Sequence, residues 1–301
     1  MTSSTGTKSL FVAIVGRPNV GKSSLLNALI GEKLAIVTSK PQTTRTRITG
    51  ILTRGRTQFV FLDTPGIHQP RTKLGKRMVK TVEDTVGDGD VTLMVFESYG
   101  DLTEAEMGLV QEIRTSRTPA VAVVNKTDCL KKAADLNVRR QFLEGLGVFR
   151  EIVGASAVER QGLDALLDLL EGYAAPGPHY FPDDAYTDLP EKAIVAELVR
   201  EKLLLNLRDE LPHGTAVSVE RFHEREDGGL VDIEVTIFCE KKSHKGMVIG
   251  KGGAMLKKIA SAARADCEEF LGQRVNLQCW VKVKDDWRDN DFYLNNCGFR
   301  Q

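Results

Sequence analysis

Through the first half of the chain, short apolar runs alternate with segments of helical character. Residues 11–15, 91–96 and 120–124 are almost wholly apolar and rich in β-branched side chains. That is the pattern of strands buried on both faces of a parallel sheet. Residues 151–153 make a shorter run of the same kind. Residues 23–30 are helix formers ending at Gly31, a C-cap residue. Thr103-Glu104-Ala105-Glu106 is a capping box that opens another helix. Leu163, Leu166, Leu167 and Leu170 form an i, i+3, i+4, i+7 stripe that packs a last helix on the sheet. Residues 47–53 and 58–62 also read as strands, and the four residues joining them leave no room for a crossover helix. They form an antiparallel hairpin.

The rhythm changes after residue 172. Gly172-Tyr173-Ala174-Ala175-Pro176-Gly177-Pro178 breaks regular structure, and residues 173–189 read as a linker. Residues 190–208 are helical, with Pro190 at a first-turn position. Strands follow at 215–222 and 230–239, joined through Glu226-Asp227-Gly228-Gly229. In the second, Val231, Ile233, Val235 and Ile237 alternate with Asp232, Glu234 and Thr236, so one face is wet. Residues 247–259 carry a Gly-rich turn, a helix continues over 261–271, residues 275–283 alternate as a strand, and a short helix ends near 288–296. The order is α-β-β-α-α-β. The expected domains are 8–172 and 190–301, in line with a length of 301 residues.

Composition adds few constraints. Lys+Arg 41 balances Asp+Glu 41, so any basic site is local. Cys129, Cys239, Cys267, Cys279 and Cys297 are scattered without a C-x-x-C, which argues against zinc and for reduced thiols in a cytosol. The first eight residues lack the apolar core of a signal peptide, and no stretch is apolar enough to span a membrane. The expected location is the cytoplasm.

The chemistry begins at Gly16-Arg17-Pro18-Asn19-Val20-Gly21-Lys22-Ser23, which reads G-x-x-x-x-G-K-[ST] between a strand and a helix. Its glycines let backbone N–H groups converge on phosphate at the positive end of a helix dipole. Lys22 is placed to reach the β- and γ-phosphates, and the Ser23 hydroxyl to ligate Mg²⁺. Asp63-Thr64-Pro65-Gly66 follows the hairpin: Asp63 takes the Walker-B position, and the Gly66 N–H can sense the γ-phosphate. Asn125-Lys126-Thr127-Asp128 ends a strand. A carboxylate at Asp128 accepts from the guanine ring N–H and exocyclic amine, Asn125 can meet the opposite edge, and the Lys126 stem can cover the face. In Gly154-Ala155-Ser156-Ala157, the Ala157 N–H reads the guanine oxygen.

These five pieces in order resemble the G domain of small, translation-factor-related GTPases. Ras-type enzymes place a water-orienting Gln directly after D-x-x-G. Here that residue is Ile67, which cannot hold water, so the chain resembles the subclass with an apolar residue there. Residues 67–82 carry five basic side chains and no acidic one, either a solvated helix face or a contact for a partner or RNA. Met247-Val248-Ile249-Gly250-Lys251-Gly252-Gly253 between two helices resembles the turn of a type II KH domain. Such a turn lets a single-strand backbone come close, beside a groove for about four nucleotides. From residue 241 to 265 there are seven Lys or Arg and no acidic residue.

A P-loop GTPase with a mixed, mostly parallel sheet, followed by an α+β type II KH domain, resembles the Era family of bacterial GTPases. Pro41-Gln42-Thr43-Thr44-Arg45, Phe181-Pro182-Asp183-Asp184 and Trp280-Val281-Lys282-Val283-Lys284 add to the likeness, while the family's terminal Leu-Gly-Tyr is here Cys297-Gly298-Phe299. The resemblance implies GTP and GDP as ligands with Mg²⁺, and catalytic roles for Lys22, Thr44 and Gly66. It implies metal ligation by Ser23, Thr44 and Asp63. Nucleotide contacts fall on Gly16, Arg17, Pro18, Asn19, Val20, Gly21, Lys22, Ser23, Ser24, Asp63, Thr64, Pro65, Gly66, Ile67, Asn125, Lys126, Asp128, Ser156 and Ala157. RNA contacts fall on Lys241, Lys245, Ile249, Gly250, Lys251, Gly252, Gly253, Lys257 and Lys258. The implied partners are 16S ribosomal RNA near its 3′ end and the 30S subunit during its maturation, for a monomer with at most peripheral membrane contact. A different class stays open: a GTP-dependent membrane or cell-division regulator whose second domain binds protein. No lipidation motif or basic amphipathic helix favours that reading.

Overall fold

The computed structural model describes residues 6–66, 72–116, 118–209, 211–226 and 228–299. Ile67, Arg71 and Asp227 lie outside the described residues. The described chain divides into two compact units, one of residues 6–35, 44–66 and 78–188, the other of residues 36–43, 72–77 and 189–299.

In the first unit, β1 (Lys8–Val15) leads through the P-loop into α1 (Lys22–Ile30), and β2 (Ile48–Arg54) and β3 (Thr57–Asp63) form the expected antiparallel hairpin. Then follow α2 (Lys73–Asp88), whose first turn counts with the second unit, β4 (Val91–Glu97), α3 (Glu104–Thr115) and β5 (Ala120–Asn125). The unit ends with α4 (Ala133–Glu144), β6 (Glu151–Gly154), α5 (Leu163–Glu171) and the short β7 (Ala175–Pro176). The sheet order is β2-β3-β1-β4-β5-β6, parallel apart from the β2–β3 pair, and β7 pairs antiparallel with the start of β1. Strand order reverses at β1, between β3 and β4, so the carboxyl end of β1 opens on a crevice, the usual place for a ligand in such sheets. Met94, Phe96, Ala122 and Val124 pack one face against Val82 and Val86 of α2 and Leu109, Val110 and Ile113 of α3. The four leucines of the α5 stripe are buried.

Two helices escaped the hydrophobic pattern. In α4 the buried side carries Arg139, which donates to the Gly100 carbonyl (2.7 Å) and lies over the Phe96 ring, while Val138 and Phe142 face solvent. A cation inside and apolar groups outside erase the period. In α2, basic residues interrupt the buried Leu74, Met78, Val82 and Val86.

Residues 173–188, read from the sequence as linker, are held along the first sheet. Gln58 donates to the Phe181 carbonyl (2.9 Å) and accepts from the Tyr180 (2.8 Å) and Phe181 (3.0 Å) N–H groups. Ile51 N donates to the Tyr186 carbonyl (2.8 Å), and Thr187 Oγ1 to that of Thr49 (2.6 Å). Proline and glycine break regular structure there, but sheet-edge polar groups still need partners, and this segment supplies them.

The second unit contains α6 (Glu191–Asn206), β8 (Thr215–Glu224), β9 (Leu230–Cys239), α7 (Lys242–Ile249), α8 (Ala254–Leu271), β10 (Arg274–Val283) and α9 (Asp291–Asn296). Its sheet runs β10-β9-β8, with β8–β9 antiparallel and β9–β10 parallel. Val195, Leu198 and Leu203 of α6, Val248 of α7 and Ile259, Ala263 and Cys267 of α8 join Val231, Ile233, Val235 and Ile237 in one core. Pro190 sits at the N-cap of α6 rather than in its first turn, where its extended ψ of 144° precedes the helix. Of the β9 residues expected on the opposite, wet face, Asp232 and Glu234 are half-exposed. Thr236, expected on that wet face, is buried, with Trp280 as its cross-strand partner, and α9 brings Tyr293 against Phe238 (5.7 Å between ring centroids).

The other segments of this unit are tied to it by side chains. Arg200, buried on α6, donates to the Thr43 carbonyl and pairs with Glu197, and Lys40 donates to the Leu207 carbonyl. Lys73 pairs with Asp291 (3.0 Å), and Arg77 bonds Asp291 (2.8 Å), Asn295 (2.9 Å) and the Phe299 carbonyl. Two cations of the basic segment are therefore engaged within the unit. Phe299 is buried beside Trp287, whose Nε1 donates to the Gly214 carbonyl (2.9 Å). Among the described residues, no helix is long and apolar enough to cross a membrane.

Candidate nucleotide site and nucleic-acid turn

The P-loop bends where only glycine fits. Gly16 has φ 148°, and a Cβ there would stand 2.6 Å from the Val95 carbonyl. Gly21 has φ 95°, and a Cβ there would stand 2.3 Å from Asn125 Nδ2. The loop thus turns tightly across the ends of β4 and β5. Lys22, the first residue of α1, is buried and folds back to donate to the carbonyls of Gly16 (3.0 Å) and Arg17 (3.1 Å). Burial pushes its ammonium down to about 8, against the pull of Asp63.

Ser23 Oγ lies between two oxygens, 2.8 Å from Thr44 Oγ1 and donating to Asp63 Oδ2 at 2.7 Å. Three residues separated by 21 and 40 positions in sequence are thereby brought together. Asp63 is buried at the carboxyl end of β3, and its Oδ1 is held by no side chain among the described residues. Burial raises its carboxyl to about 6, opposed by Lys22 and the Ser23 hydroxyl. Thr64 is fully buried and ties the turn to β1 through the Ile14 carbonyl (2.8 Å). Gly66 lies hard against the P-loop: a Cβ there would fall 2.7 Å from Pro18 N and Cα.

The base-reading residues meet across the ends of β5 and β6. Asp128 Oδ1 accepts from Ser156 Oγ (2.5 Å), and its Oδ2 from Cys129 Sγ (3.4 Å). The Ser156 hydroxyl is the main reason the Asp128 carboxyl is held below its ordinary range. Ser156 therefore aims Asp128. Asn125, expected to meet the far edge of the base, is buried, and its amide braces the loops. It donates to the carbonyls of Val20 (3.0 Å) and Gly21 (3.4 Å) and accepts from Ala157 N (3.2 Å). The N–H expected to read the guanine oxygen thus bonds that brace in this structure. Lys126 stretches to the Asn19 carbonyl (2.6 Å), as an aliphatic cover over a base would. Two acidic residues outside the nucleotide motifs meet their cations: Glu97 pairs with Arg17 and Lys126, and Glu106 with Arg17. Glu106 was visible only as the end of a capping box, a role it also fills, accepting from Thr103 N at 2.8 Å.

In the second unit, Gly250-Lys251-Gly252-Gly253 turns the chain from α7 into α8 through three positive φ values, 73°, 59° and 81° at the glycines. Gly250 is packed as well as bent, since a Cβ would stand 2.7 Å from Met255 Cβ. The turn delivers exposed Lys251 and Gly252 in front of the N-terminus of α8, where N–H groups and the helix dipole favour an anion. Lys241, Lys257 and Lys258 are exposed, and Lys245, Ile249 and Gly253 are half-buried.

Residues 11–126 match a family described as 50S ribosome-binding GTPase, and residues 210–288 match the KH domain. The chain is 46% identical over 292 residues to the GTPase Era of Clostridioides difficile, covering 97% of this chain and 98% of the relative. It is 45% identical over 293 residues to the GTPase Era of Ruminiclostridium cellulolyticum, covering 97% and 98%. It is also similar to the crystal structure of an Aquifex aeolicus Era variant bound to GDP·AlF4⁻, with TM-score 0.93, 34% identity, and coverage of 98% of this chain and 100% of that one. The same figures hold for a crystal structure of Era in complex with MgGDPNP and nucleotides 1506–1542 of 16S ribosomal RNA.

Proposed function

The chain belongs to the Era family of GTPases, and from that membership we propose that its first unit binds and hydrolyses GTP while its second holds single-stranded 16S ribosomal RNA near the 3′ end. The observation that carries the first half is the meeting of Ser23, Thr44 and Asp63 around one point, with the other buried Asp63 oxygen held by no side chain among the described residues. Two hydroxyls and a carboxylate are a hard, all-oxygen donor set that suits Mg²⁺. When bound, Mg²⁺ supplies positive charge against the β- and γ-phosphates. Ser23, Thr44 and Asp63 are the residues that would hold it.

The rest is done by the chain. Lys22 exchanges its two loop carbonyls for phosphate oxygens, with the N–H groups of the P-loop and Ser24 around them. Gly66 brings backbone to the γ-phosphate without a side chain in the way. Asp128, aimed by Ser156, selects guanine. The residue directly after Gly66 does not orient water, because Ile67 has no polar atom, so the attacking water is placed by other groups, from a partner or a rearranged loop.

In the second unit, the carrying observation is the exposed Gly-rich turn in front of α8 with lysines around it. The RNA of the related complex lies in the small ribosomal subunit, and maturation of that subunit is the process this reading assigns. The protein acts as a cytoplasmic monomer. Single-turnover hydrolysis by wild type and Lys22→Ala tests the first half. Filter binding of a 16S 3′-terminal strand, against an unrelated strand and anionic vesicles, tests the second. A preference for vesicles would replace the RNA reading with a peripheral membrane role.

A further inference from the structure

We propose that Glu97 is a positioning residue for the nucleotide: one carboxylate that locks the P-loop and the guanine-reading loop together through Arg17 and Lys126. The inference rests on the nucleotide reading above and assigns a role to a residue outside the motifs that carry it.

Glu97 is the last residue of β4, and the parallel register sets it beside Asn125, the last residue of β5. From there its two carboxylate oxygens diverge. Oε1 accepts from Lys126 Nζ at 2.5 Å, and Oε2 pairs with Arg17. The Lys126 ammonium has a second acceptor in the Asn19 carbonyl (2.6 Å). Arg17 has a second carboxylate in Glu106, with Nε 3.2 Å from Oε1. Glu106 is itself fixed, because its other oxygen accepts from Thr103 N (2.8 Å) and Thr103 Oγ1 (2.9 Å) at the start of α3.

Two cations and two carboxylates are thereby linked in a cluster in which the Glu97 side chain is 13% exposed and that of Glu106 2%, with the Arg139 cation also within the field of Glu106, Arg17 and Glu97. The cations are half-buried, with Arg17 29% and Lys126 30% exposed, so each pair is worth more than a fully exposed one and less than a buried one. Lys126 and the residue whose carbonyl its ammonium reaches are both conformationally unusual. Asn19 and Lys126 are non-glycine residues with φ 66° and 61°. Such backbone persists where its surroundings over-determine it, and Glu97 supplies part of that constraint. A guanine base stacked under the Lys126 stem needs the ammonium held at the far end. Phosphates in the P-loop need Arg17 held out of their way. One carboxylate does both.

The test is the dissociation rate of a fluorescent GDP from the full-length protein, for wild type, Glu97→Gln, Lys126→Met and the double variant. The glutamine keeps the shape and removes the charge. Loss of one charge-assisted contact predicts release about 10- to 100-fold faster for Glu97→Gln. If Glu97 acts through Lys126, the double variant releases GDP no more than about twofold faster than the faster single variant. Preference for guanine over xanthine stays unchanged in Glu97→Gln, because Asp128 is untouched. A purely structural Glu97 would lower the melting temperature and multiply with Lys126→Met. Should Glu97→Gln fail to fold, Glu97→Asp, which keeps the charge but shortens the reach, serves instead, with accelerated release expected. A wild-type release rate from either variant, multiplicative effects in the double variant, or lost guanine preference overturns the proposal. Failure of wild type itself to bind GDP is seen before any variant is compared, and removes the nucleotide reading along with this one.

Discussion

Asp128 is exposed, yet both its carboxylate oxygens are engaged by neighbouring side chains, so its orientation is fixed before a base arrives. Asp128→Asn replaces an acceptor with a donor, which suits xanthine, whose ring carries oxygen where guanine carries the amine. Loss of the charge-assisted pair should cost GTP binding on the order of 1.5–3 kcal/mol. A competition titration of GTP against xanthosine triphosphate should show the preference inverted, and an unchanged guanine preference would sink the assignment. Gly21 carries a different constraint. Gly21→Ala forces a Cβ to within 2.3 Å of Asn125 Nδ2 at a φ of 95°, so the Asn125 brace to Val20 must give way. Strain of about 1–3 kcal/mol is expected. Urea unfolding should report that loss, together with weaker GDP binding. Full stability in Gly21→Ala would mean that the loop relaxes freely and that the brace contributes little.

At the scale of elements, two connections matter more than their irregular appearance suggests. The segment after β7 is pinned by His179, whose Nδ1 meets Asp183 Oδ1 (2.6 Å) and whose Nε2 lies 3.1 Å from the Arg56 carbonyl. The Asp183 bond, then the Arg56 carbonyl, raises the imidazole above its ordinary 6.5. A group raised in the folded state contributes stability that is full below its unfolded value and is lost as pH rises through its folded value. Wild type should therefore lose stability relative to His179→Gln as pH climbs from 6 past that raised value. Melting temperatures of the pair across this range check it, and a constant difference would refute the linkage. The other connection is the Gly250–Gly253 turn. Lys251→Asp with Gly252→Asp places two carboxylates where phosphates approach, at a φ of 59° for the second. RNA binding should be lost while GTP hydrolysis is kept. Wild-type affinity should fall with salt at a log–log slope near −0.7 per phosphate contact. Tight RNA binding by the double variant would return the second unit to a protein-binding role.

On the scale of the whole molecule, the second unit has a hydrophobic core drawn from one continuous stretch, running from Ile194 to Val281. A fragment of residues 189–301 should therefore fold and melt cooperatively by itself, and keep most of the RNA affinity. It should also be less stable than the same unit in the full chain. Arg200 would lose the Thr43 carbonyl while buried, and Asp291 would lose Lys73 and Arg77. Chemical denaturation of fragment and full chain measures both. A fragment without a cooperative transition would show that residues 36–43 and 72–77 belong to its core.

The sequence by itself determined the strands β1 to β6, the helices α1, α3 and α5, the antiparallel hairpin, the α-β-β-α-α-β order of the second unit and the identity of the phosphate- and guanine-binding motifs. These are local properties, set by the period of apolar residues and by glycines required by backbone shape. It did not show α4, because Arg139 packs over Phe96 and fills a position where the pattern calls for an apolar side chain. Nor did it show residues 173–188 fastened to the sheet, because the bonds that hold them come from Gln58, Thr49 and Ile51, more than 120 residues away in the case of Gln58. Only tertiary structure buried Thr236 on a face that alternation made wet, and gave the Asn125 amide its brace between the loops. Glu97 is the sharpest case. It stands outside every motif, and its carboxylate acquires two cations only when β4 is laid beside β5 and the P-loop turns back across both. Charge pairing of that kind depends on which strand ends become neighbours, a choice made by the sheet order and not by residues adjacent in the chain.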